Sequence, residues 1–161
     1  MQFDIDVGYV VMCPLMKEQI DKKGKKEYEP SYKREGDAGF DLRASIPETI
    51  VVQPQEQVAI PCGFGFDFLK HRAMLMAVPR SGMGKLGLVL ANLTGIIDKT
   101  YQGQTMIEVW NRTNKPITVE PFDRIVQAMF VPVYTANFSR QSEFEEPTER
   151  GDNGFNSSGV K

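Results

Sequence analysis

The chain has few of the residues that carry metal chemistry or covalent catalysis, with only 2 cysteines and 1 histidine among 161 residues. Cys13 and Cys62 lie far apart and have no histidine neighbours, which excludes a zinc site and argues against a disulfide framework. A serine or cysteine hydrolase mechanism would have to depend on His71 alone. We therefore expect a protein of a reducing compartment, the cytoplasm of a cell, without a histidine-activated nucleophile.

An excess of one charge and a long apolar run are also missing. The 19 lysines and arginines nearly cancel the 21 aspartates and glutamates, so no overall field attracts nucleic acid or a membrane surface. No apolar run reaches the length that a bilayer requires, and the amino terminus alternates without a basic start. These absences predict a soluble, unexported, single-domain protein that binds neither nucleic acid nor membrane.

Short apolar or alternating segments, separated by turn compositions, recur along the chain, and no long stretch shows a clean helical stripe. This pattern predicts an all-β, single-domain fold, a jelly-roll-like barrel or sandwich with at most one short helix near residues 82–86. The predicted strands are Phe3–Met12, Thr49–Val52, Gln57–Pro61, Ala73–Val78, Thr105–Trp110, Ile117–Val119 and Ile125–Val133.

A charged excursion, residues 16–36, interrupts the strand pattern with seven basic and five acidic side chains around a central glycine. Mixed signs favour a solvated loop or hairpin over a nucleic-acid patch. The excursion is also the candidate docking surface for a protein partner.

The tail, RGDNGFNSSGV at residues 150–160, has too little apolar area to offset the entropy of ordering it. One interpretation is a frayed terminus. The other is a flexible arm that orders over a ligand, with Arg150 clamping an anion, Phe155 stacking on a flat ring, and Ser157 and Ser158 donating hydrogen bonds. We therefore divide the chain into a β domain, residues 1–148, and a carboxyl-terminal arm, residues 149–161.

The segment GDAGFDL, residues 36–42, places Asp37 and Asp41 four apart around a small Ala-Gly pair that allows close backbone approach. In an extended chain that spacing keeps both carboxylates on one side. One carboxylate could hold a hydrated magnesium ion while the other ties down the loop, or both could be turn caps.

The segment VPRSGMGKLG, residues 78–87, offers Arg80, the hydroxyl of Ser81 and closely spaced backbone amides after a buried strand. A phosphate is the natural guest of such a cradle. The P-loop interpretation fails, because glycine is absent five places before Gly84 and Leu86 replaces the hydroxyl expected after Lys85.

The segment ANLTGIIDKTYQGQ, residues 91–104, places Asp98 directly after an apolar pair and three residues before Tyr101. A carboxylate there can orient and deprotonate a water, while a tyrosine face can support a sugar; the alternative is a hydrogen-bonded turn. Further along, FDRIVQAMF at residues 122–130 adds Gln127 as a neutral donor and acceptor, with Asp123 and Arg124 as a possible ion pair.

The fixed order of these segments resembles the trimeric, all-β dUTP pyrophosphatase (dUTPase) family. Five family motifs are similar to DAGFDL, PRSGMGKLG, TGIIDKTYQGQ, DRIVQAMF and RGDNGFNSSG, and YQGQTMIEVWNR is similar to the bacterial and phage branch. The resemblance implies hydrolysis of dUTP to dUMP and pyrophosphate with Mg²⁺ assistance. Such an activity limits uracil incorporation into DNA and supplies dUMP for dTMP synthesis, in a bacterial or phage-infected cell.

The resemblance also implies a role for each matching residue. Asp98 would be the general base that activates the water attacking the α-phosphate, and Asp41 would reach the magnesium through bound water. Tyr101 would pack against the deoxyribose and reject a 2′-hydroxyl. The substrate-binding set is Arg80, Ser81, Gly82, Asn92, Gly95, Ile97, Tyr101, Ile107, Gln127, Arg150, Gly154, Phe155 and Ser157.

In the family, the site lies between the subunits of a homotrimer and the arm closes over it. Two alternatives remain open. A dCTP deaminase-like enzyme resembles this fold and also binds a deoxynucleoside triphosphate with magnesium. A regulatory protein-binding module would use the charged excursion to hold its partner.

Overall fold

A computed structural model describes residues 5–152 and 154. In that part of the chain the strands are β1 Gly8–Val11, β2 Phe40–Arg43, β3 Ile50–Val52, β4 Gln57–Pro61, β5 Phe64–Asp67, β6 Ala73–Pro79, β7 Leu88–Leu90, β8 Gly95–Ile97, β9 Met106–Asn111, β10 Ile117–Val119 and β11 Arg124–Pro132. The helices are α1 Pro14–Lys17, which continues into a π-helical turn Glu18–Lys22, a 3₁₀ turn Lys26–Tyr28, and α2 Ser81–Leu86.

The strands form antiparallel sheets connected by short turns. A four-stranded sheet has the order β2-β11-β6-β8 and a three-stranded sheet has the order β4-β9-β7, while β1 pairs with β5 and β10 pairs with β3. The all-β prediction with a short helix near residues 82–86 is confirmed. The four-stranded sheet carries most of the predicted site, because the motifs at residues 36–42, 78–87, 91–104 and 122–130 each lie on it or at its ends.

The core forms where the apolar faces of the sheets meet. Alternation along β6 buries Ala73, Leu75 and Ala77, while the intervening side chains are only half-buried. Phe64 and Phe68 are among the largest side chains that are fully buried. Cys62 lies in the same core, and burial raises the pKa of its thiol well above the ordinary value.

Two predicted strands, Gln57–Pro61 and Ile117–Val119, have the predicted bounds. The first strand begins at Gly8 within the described residues, and the start of its predicted range lies partly outside them. Four short strands were not predicted: β2, β5, β7 and β8.

The charged excursion is not solvated throughout. Met16 and Ile20 are buried against the core, and the ring of Tyr28 stacks on Phe122 with ring centroids 5.0 Å apart. Residues 21–27 are exposed, as expected. The expectation of a solvated loop is therefore wrong for the first helical turn and correct for the middle of the excursion.

After β11, the described part of the chain contains no further helix or strand. Its large side chains are almost completely exposed, at 100% for Tyr134, 97% for Phe138 and 89% for Phe144. None of the described helices has the length and apolar character needed to cross a bilayer.

Candidate active site

A cluster of cations surrounds the carboxylate of Asp41 at one end of the four-stranded sheet. Nε of Arg80 lies 2.7 Å from Oδ1, and Nη1 of Arg124 lies 3.0 Å from Oδ2. Nζ of Lys33, from the charged excursion, lies 3.8 Å from Oδ2. The carboxylate is 16% exposed. Three cations share its single negative charge, so Asp41 leaves two positive charges of the cluster unbalanced.

Strand register explains why residues so far apart in sequence meet here. Gln127 of β11 pairs with Asp41 of β2 on one side and with Val78 of β6 on the other, and Arg80 follows two residues after Val78. A register shift in the β11–β2 ladder lies next to Arg124, and such irregularities re-aim a side chain.

Gly39 allows β2 to approach β11 this closely. A Cβ added there would lie 2.8 Å from both Cγ of Gln127 and the carbonyl oxygen of Ala128. A glycine is therefore required beside Gln127, as the Ala-Gly pair in the sequence indicated.

Arg124 was considered a partner of its neighbour Asp123, but its ion pair is with Asp41. Oδ2 of Asp123 instead accepts a hydrogen bond from the amide of Glu120, at 2.9 Å, and closes the turn before β11. No local pattern marks this long-range pair, because only the β2–β11 register brings the two residues together.

Arg43 adds a further positive charge near the cluster. Its Nη1 donates to the carbonyl of Phe122 at 2.9 Å, and its guanidinium lies 4.5 Å from the ring centroid of Tyr28. Burial lowers the pKa of Arg43, and the neighbouring charge of Arg124 acts in the same direction. Tyr28 and Asp41 oppose that change.

The segment after β6 turns directly into α2. Arg80 is the amino-terminal cap residue of the helix, and its carbonyl accepts a hydrogen bond from the amide of Gly84 at 2.8 Å. Ser81 and Gly82 are exposed in the first turn, and a Cβ added at Gly82 would meet nothing within 4 Å. Open space therefore borders the backbone of the first turn at Gly82.

Asp98 and Tyr101 share one turn after β8. The amide of Tyr101 donates to the carbonyl of Asp98 at 3.0 Å, and the Tyr101 hydroxyl donates to the carbonyl of Gln104 at 2.8 Å. The turn thus uses the backbone of Asp98 and not its exposed carboxylate. A Cβ at Gly103 would lie 2.5 Å from the Tyr101 hydroxyl oxygen, so the ring position depends on glycine there.

The Asp98 turn and the cation cluster lie at opposite ends of β6 within one copy of the chain. Register pairs Ala77 with Gly95 and Leu75 with Ile97, so Asp98 lies beside the first residues of β6. Arg80 follows the other end of the same strand. Six strand residues span roughly 20 Å, which is too far for one nucleotide phosphate to contact both groups.

Three other predicted substrate residues lie in the connection from β7 to β8 or in β8 itself. Asn92 is exposed in the turn between β7 and β8, and its carbonyl accepts a hydrogen bond from the amide of Thr94 at 2.7 Å. Gly95 is buried, and a Cβ there would lie 3.2 Å from Cβ of Ala77. Ile97 is half-buried and packs against the core.

Ile107 belongs to a different sheet. It is 2% exposed in β9, opposite Ile60, so its side chain is part of the core and only its backbone remains a candidate for contacting a base.

The predicted arm residues are only partly described. Arg150 lies in an exposed turn in which the amide of Gly151 donates to the carbonyl of Thr148 at 3.0 Å, and Gly154 is exposed. The predictions for Phe155, Ser157 and Ser158 fall outside the described residues.

Asp41 suits a hydrated magnesium ion better than a directly bound one. Both of its oxygens face cations, and Mg²⁺ held by a single carboxylate keeps most of its waters. Among residues 5–152 and 154, no three His, Cys, Asp or Glu side chains form a metal-binding group. Most inner ligands would therefore come from phosphate oxygens and water.

A separate cavity of about 600 Å³ lies between the first strand and the excursion. Apolar rings line much of it, including those of Tyr9, Tyr32 and Phe66. None of its lining residues is a predicted site residue.

Comparison with known proteins identifies relatives over most of the chain. The dUTPase family model matches residues 26–159. A deoxyuridine 5'-triphosphate nucleotidohydrolase from Haemophilus influenzae (strain PittEE) is 47% identical over 131 residues, covering 81% of this chain and 86% of that protein. The protein of the same description from Neisseria gonorrhoeae (strain NCCP11945) is 44% identical over 134 residues, covering 83% and 89%.

Solved structures with the same fold include dUTPases from phages. The Staphylococcus bacteriophage 80alpha dUTPase with dUPNHPP has a TM-score of 0.79 and 25% identity, covering 96% of this chain and 99% of that one. A mutant dUTPase from phage phi11 of S. aureus, in which coordination of a structural Mg(II) ion is described, has a TM-score of 0.73 and 20% identity. It covers 88% of this chain and 100% of its own.

Proposed function

This chain belongs to the dUTPase family, and we propose that it is a dUTP diphosphatase that hydrolyses dUTP to dUMP and pyrophosphate. The observation that carries the proposal is the pair of half-sites on one sheet. One is a cluster of cations at Asp41, and the other is the turn that joins the exposed carboxylate of Asp98 to Tyr101.

The cation cluster is suited to the triphosphate. Ser81 and Gly82 are exposed directly after Arg80, and a Cβ at Gly82 would meet nothing within 4 Å. Gln127 lies beside Asp41 in the β11–β2 ladder. Phosphoryl transfer requires little covalent help from protein, so positioning and charge stabilisation supply most of the acceleration. We assign the phosphate contacts to these four residues.

The turn after β8 is suited to the chemical step. The carboxylate of Asp98 is exposed and is not used in the turn, so it can accept a proton from a water aligned with the α-phosphorus. The ring of Tyr101, held by its hydroxyl and 45% exposed, offers a face for the deoxyribose. A 2′-hydroxyl would collide with that face, so UTP is rejected.

Uracil would be read by the amide of Asn92 and by the backbone near Gly95, Ile97 and Ile107. Since Ile107 is buried, only its peptide groups are assigned to the base. We propose that the backbone at these positions leaves no room for the thymine methyl, which is excluded by overlap.

Magnesium would enter with the nucleotide, and Asp41 would hold it through its bound waters. When bound, the ion neutralises part of the triphosphate charge. Asp41 also keeps Arg80 and Arg124 oriented toward the phosphates through their ion pairs.

The geometry of one copy supports a site built between copies. Asp98 and Arg80 lie at opposite ends of β6, so a nucleotide that uses both must contact two chains. We propose a homotrimer, with Arg150, Gly154, Phe155 and Ser157 of the arm closing over dUTP. The setting proposed is the cytoplasm of a bacterial or phage-infected cell.

A pyrophosphate-release assay with dUTP, dTTP, UTP and dCTP in the presence of magnesium tests the activity. We expect rapid release from dUTP and little from the other three nucleotides. Ammonia release from dCTP would instead establish the deaminase alternative and overturn the proposal.

The oligomeric state needs its own measurement. Light scattering should give the mass of three chains, and a fully active monomer would contradict the shared site.

A protein partner on residues 16–36 stays a prediction. Two rings of that segment, those of Tyr28 and Tyr32, already pack against Phe122 and Phe40 of the same chain.

A further inference from the structure

The return limb of the excursion, residues 28–36, is fastened to the edge of the four-stranded sheet by two aromatic contacts. Tyr28 stacks on Phe122 with an interplanar angle of 24° and lies under the guanidinium of Arg43. The ring of Tyr32 meets that of Phe40 edge-on, with ring centroids 5.8 Å apart. Because Phe40 immediately precedes Asp41 in β2, this second contact fixes the limb beside the cation cluster.

Lys33 follows Tyr32 and is therefore presented directly to the cluster. Its Nζ lies 3.8 Å from Oδ2 of Asp41, while its side chain remains 60% exposed. The two arginines already occupy both oxygens of Asp41 at shorter distances. Lys33 is thus a third and more distant partner of a carboxylate whose two oxygens are already paired.

Stability does not account for this position. An exposed ion pair of this length contributes little, and a lysine beside two arginines adds repulsion between like charges. A surplus of two positive charges at one end of a sheet attracts an anion of high charge. A nucleoside triphosphate has such a charge, whereas a monophosphate has much less of it.

We propose that Lys33 is a substrate-binding residue that contacts the triphosphate, and that the excursion exists in part to deliver it. This rests on the proposed function, which assigns Arg80 to the same phosphates. When the nucleotide binds, the ammonium group of Lys33 moves from Asp41 to the polyphosphate. The packed ring of Tyr32 keeps the backbone beside Lys33 in place. Lys33 is therefore expected to determine affinity for the charged end of the nucleotide and not the rate of the chemical step.

The test compares Lys33→Gln with Lys23→Gln, which removes the same charge from an exposed position on the same excursion. For Lys33→Gln we expect the KM for dUTP to rise about tenfold at low ionic strength, with kcat changed less than about twofold. Affinity for dUMP should stay the same, and the rise in KM should shrink in high salt. Lys33→Arg should restore most of the KM, and Lys23→Gln should behave like the unmodified protein.

Calorimetry with inorganic triphosphate separates this inference from the proposed function. Weaker binding of triphosphate by Lys33→Gln supports the inference even if the unmodified protein fails to hydrolyse dUTP, a failure that would count against the function alone. If Lys33→Gln and Lys23→Gln match in KM and in triphosphate affinity while dUTP is hydrolysed, the inference is wrong and the function stands. Tyr32→Ala provides a second check, since loss of the packed ring should reproduce part of the rise in KM.

Discussion

Asp41 and Asp98 are carboxylates of one sheet placed in opposite surroundings. Asp41 is 16% exposed, and each of its oxygens faces a cation. Asp98 is exposed in a turn that uses only its backbone carbonyl. The oxygens of Asp41 are occupied by charge-assisted hydrogen bonds, whereas the carboxylate of Asp98 is open to a water molecule. We therefore propose that Asp41 positions charges and that Asp98 takes part in the reaction.

The largest effect is expected at Asp98. Asp98→Asn preserves shape but removes the proton acceptor, so turnover should fall by about 10²- to 10⁴-fold while dUTP affinity remains close to normal. Single-turnover kinetics and calorimetry with dUTP measure the two quantities. Asp21→Asn, an exposed carboxamide substitution on the excursion, is the matched control. Near-normal turnover of Asp98→Asn would show that Asp98 is not the proton acceptor.

Asp41→Asn should act mainly on stability and affinity. It leaves Arg80 and Arg124 without their shared counter-charge, and since both are about a third exposed or less, the expected loss is about 2 kcal/mol. Chemical denaturation at a fixed protein concentration measures this loss. Asp98→Asn should lose less than about 0.5 kcal/mol in the same experiment. Equal losses for both variants would show that the cations do not depend on Asp41.

A smaller effect on specificity is expected at Gly103. In Gly103→Ala, the new Cβ forces the Tyr101 ring away from the carbonyl of Gln104. The preference for dUTP over UTP, measured as the ratio of kcat/KM values, should fall about tenfold because the Tyr101 ring that blocks a 2′-hydroxyl is displaced. Gly8→Ala is the control, since a Cβ there meets Cβ of Asp67 at an ordinary 3.5 Å. An unchanged ratio of the kcat/KM values for dUTP and UTP in Gly103→Ala would show that the position of the Tyr101 ring does not determine the choice of sugar.

Local patterns predicted the parts of the fold that depend on neighbouring residues. The strands β4 and β10 were found because alternation and flanking turn residues are encoded within a few positions. The strand β8 has three residues and exists because it pairs with β6, a contact that no local pattern records. The helical turn that buries Met16 and Ile20 was missed, although their spacing of four residues was a readable signal.

The motifs located the candidate site, but their contacts had to come from register. Arg80 and Asp41 were each singled out from the sequence, whereas their ion pair depends on how β2, β11 and β6 align. Arg124 was misjudged because its sequence neighbour Asp123 offered a plausible partner. Lys33 was hidden in a stretch of mixed charges that resembled ordinary solvated surface.

The Asp41 cluster also has a consequence for how the chain acquires function during folding. Arg124 and Asp41 are separated by 83 residues, and the strand that carries Arg124 is β11, the last to be synthesised. Closing so long a loop is slow, and its entropy must be offset by contacts that form at the same time. A nascent polypeptide in which β11 has not yet docked therefore lacks the assembled cation cluster, and we expect nucleotide binding to appear only late in folding.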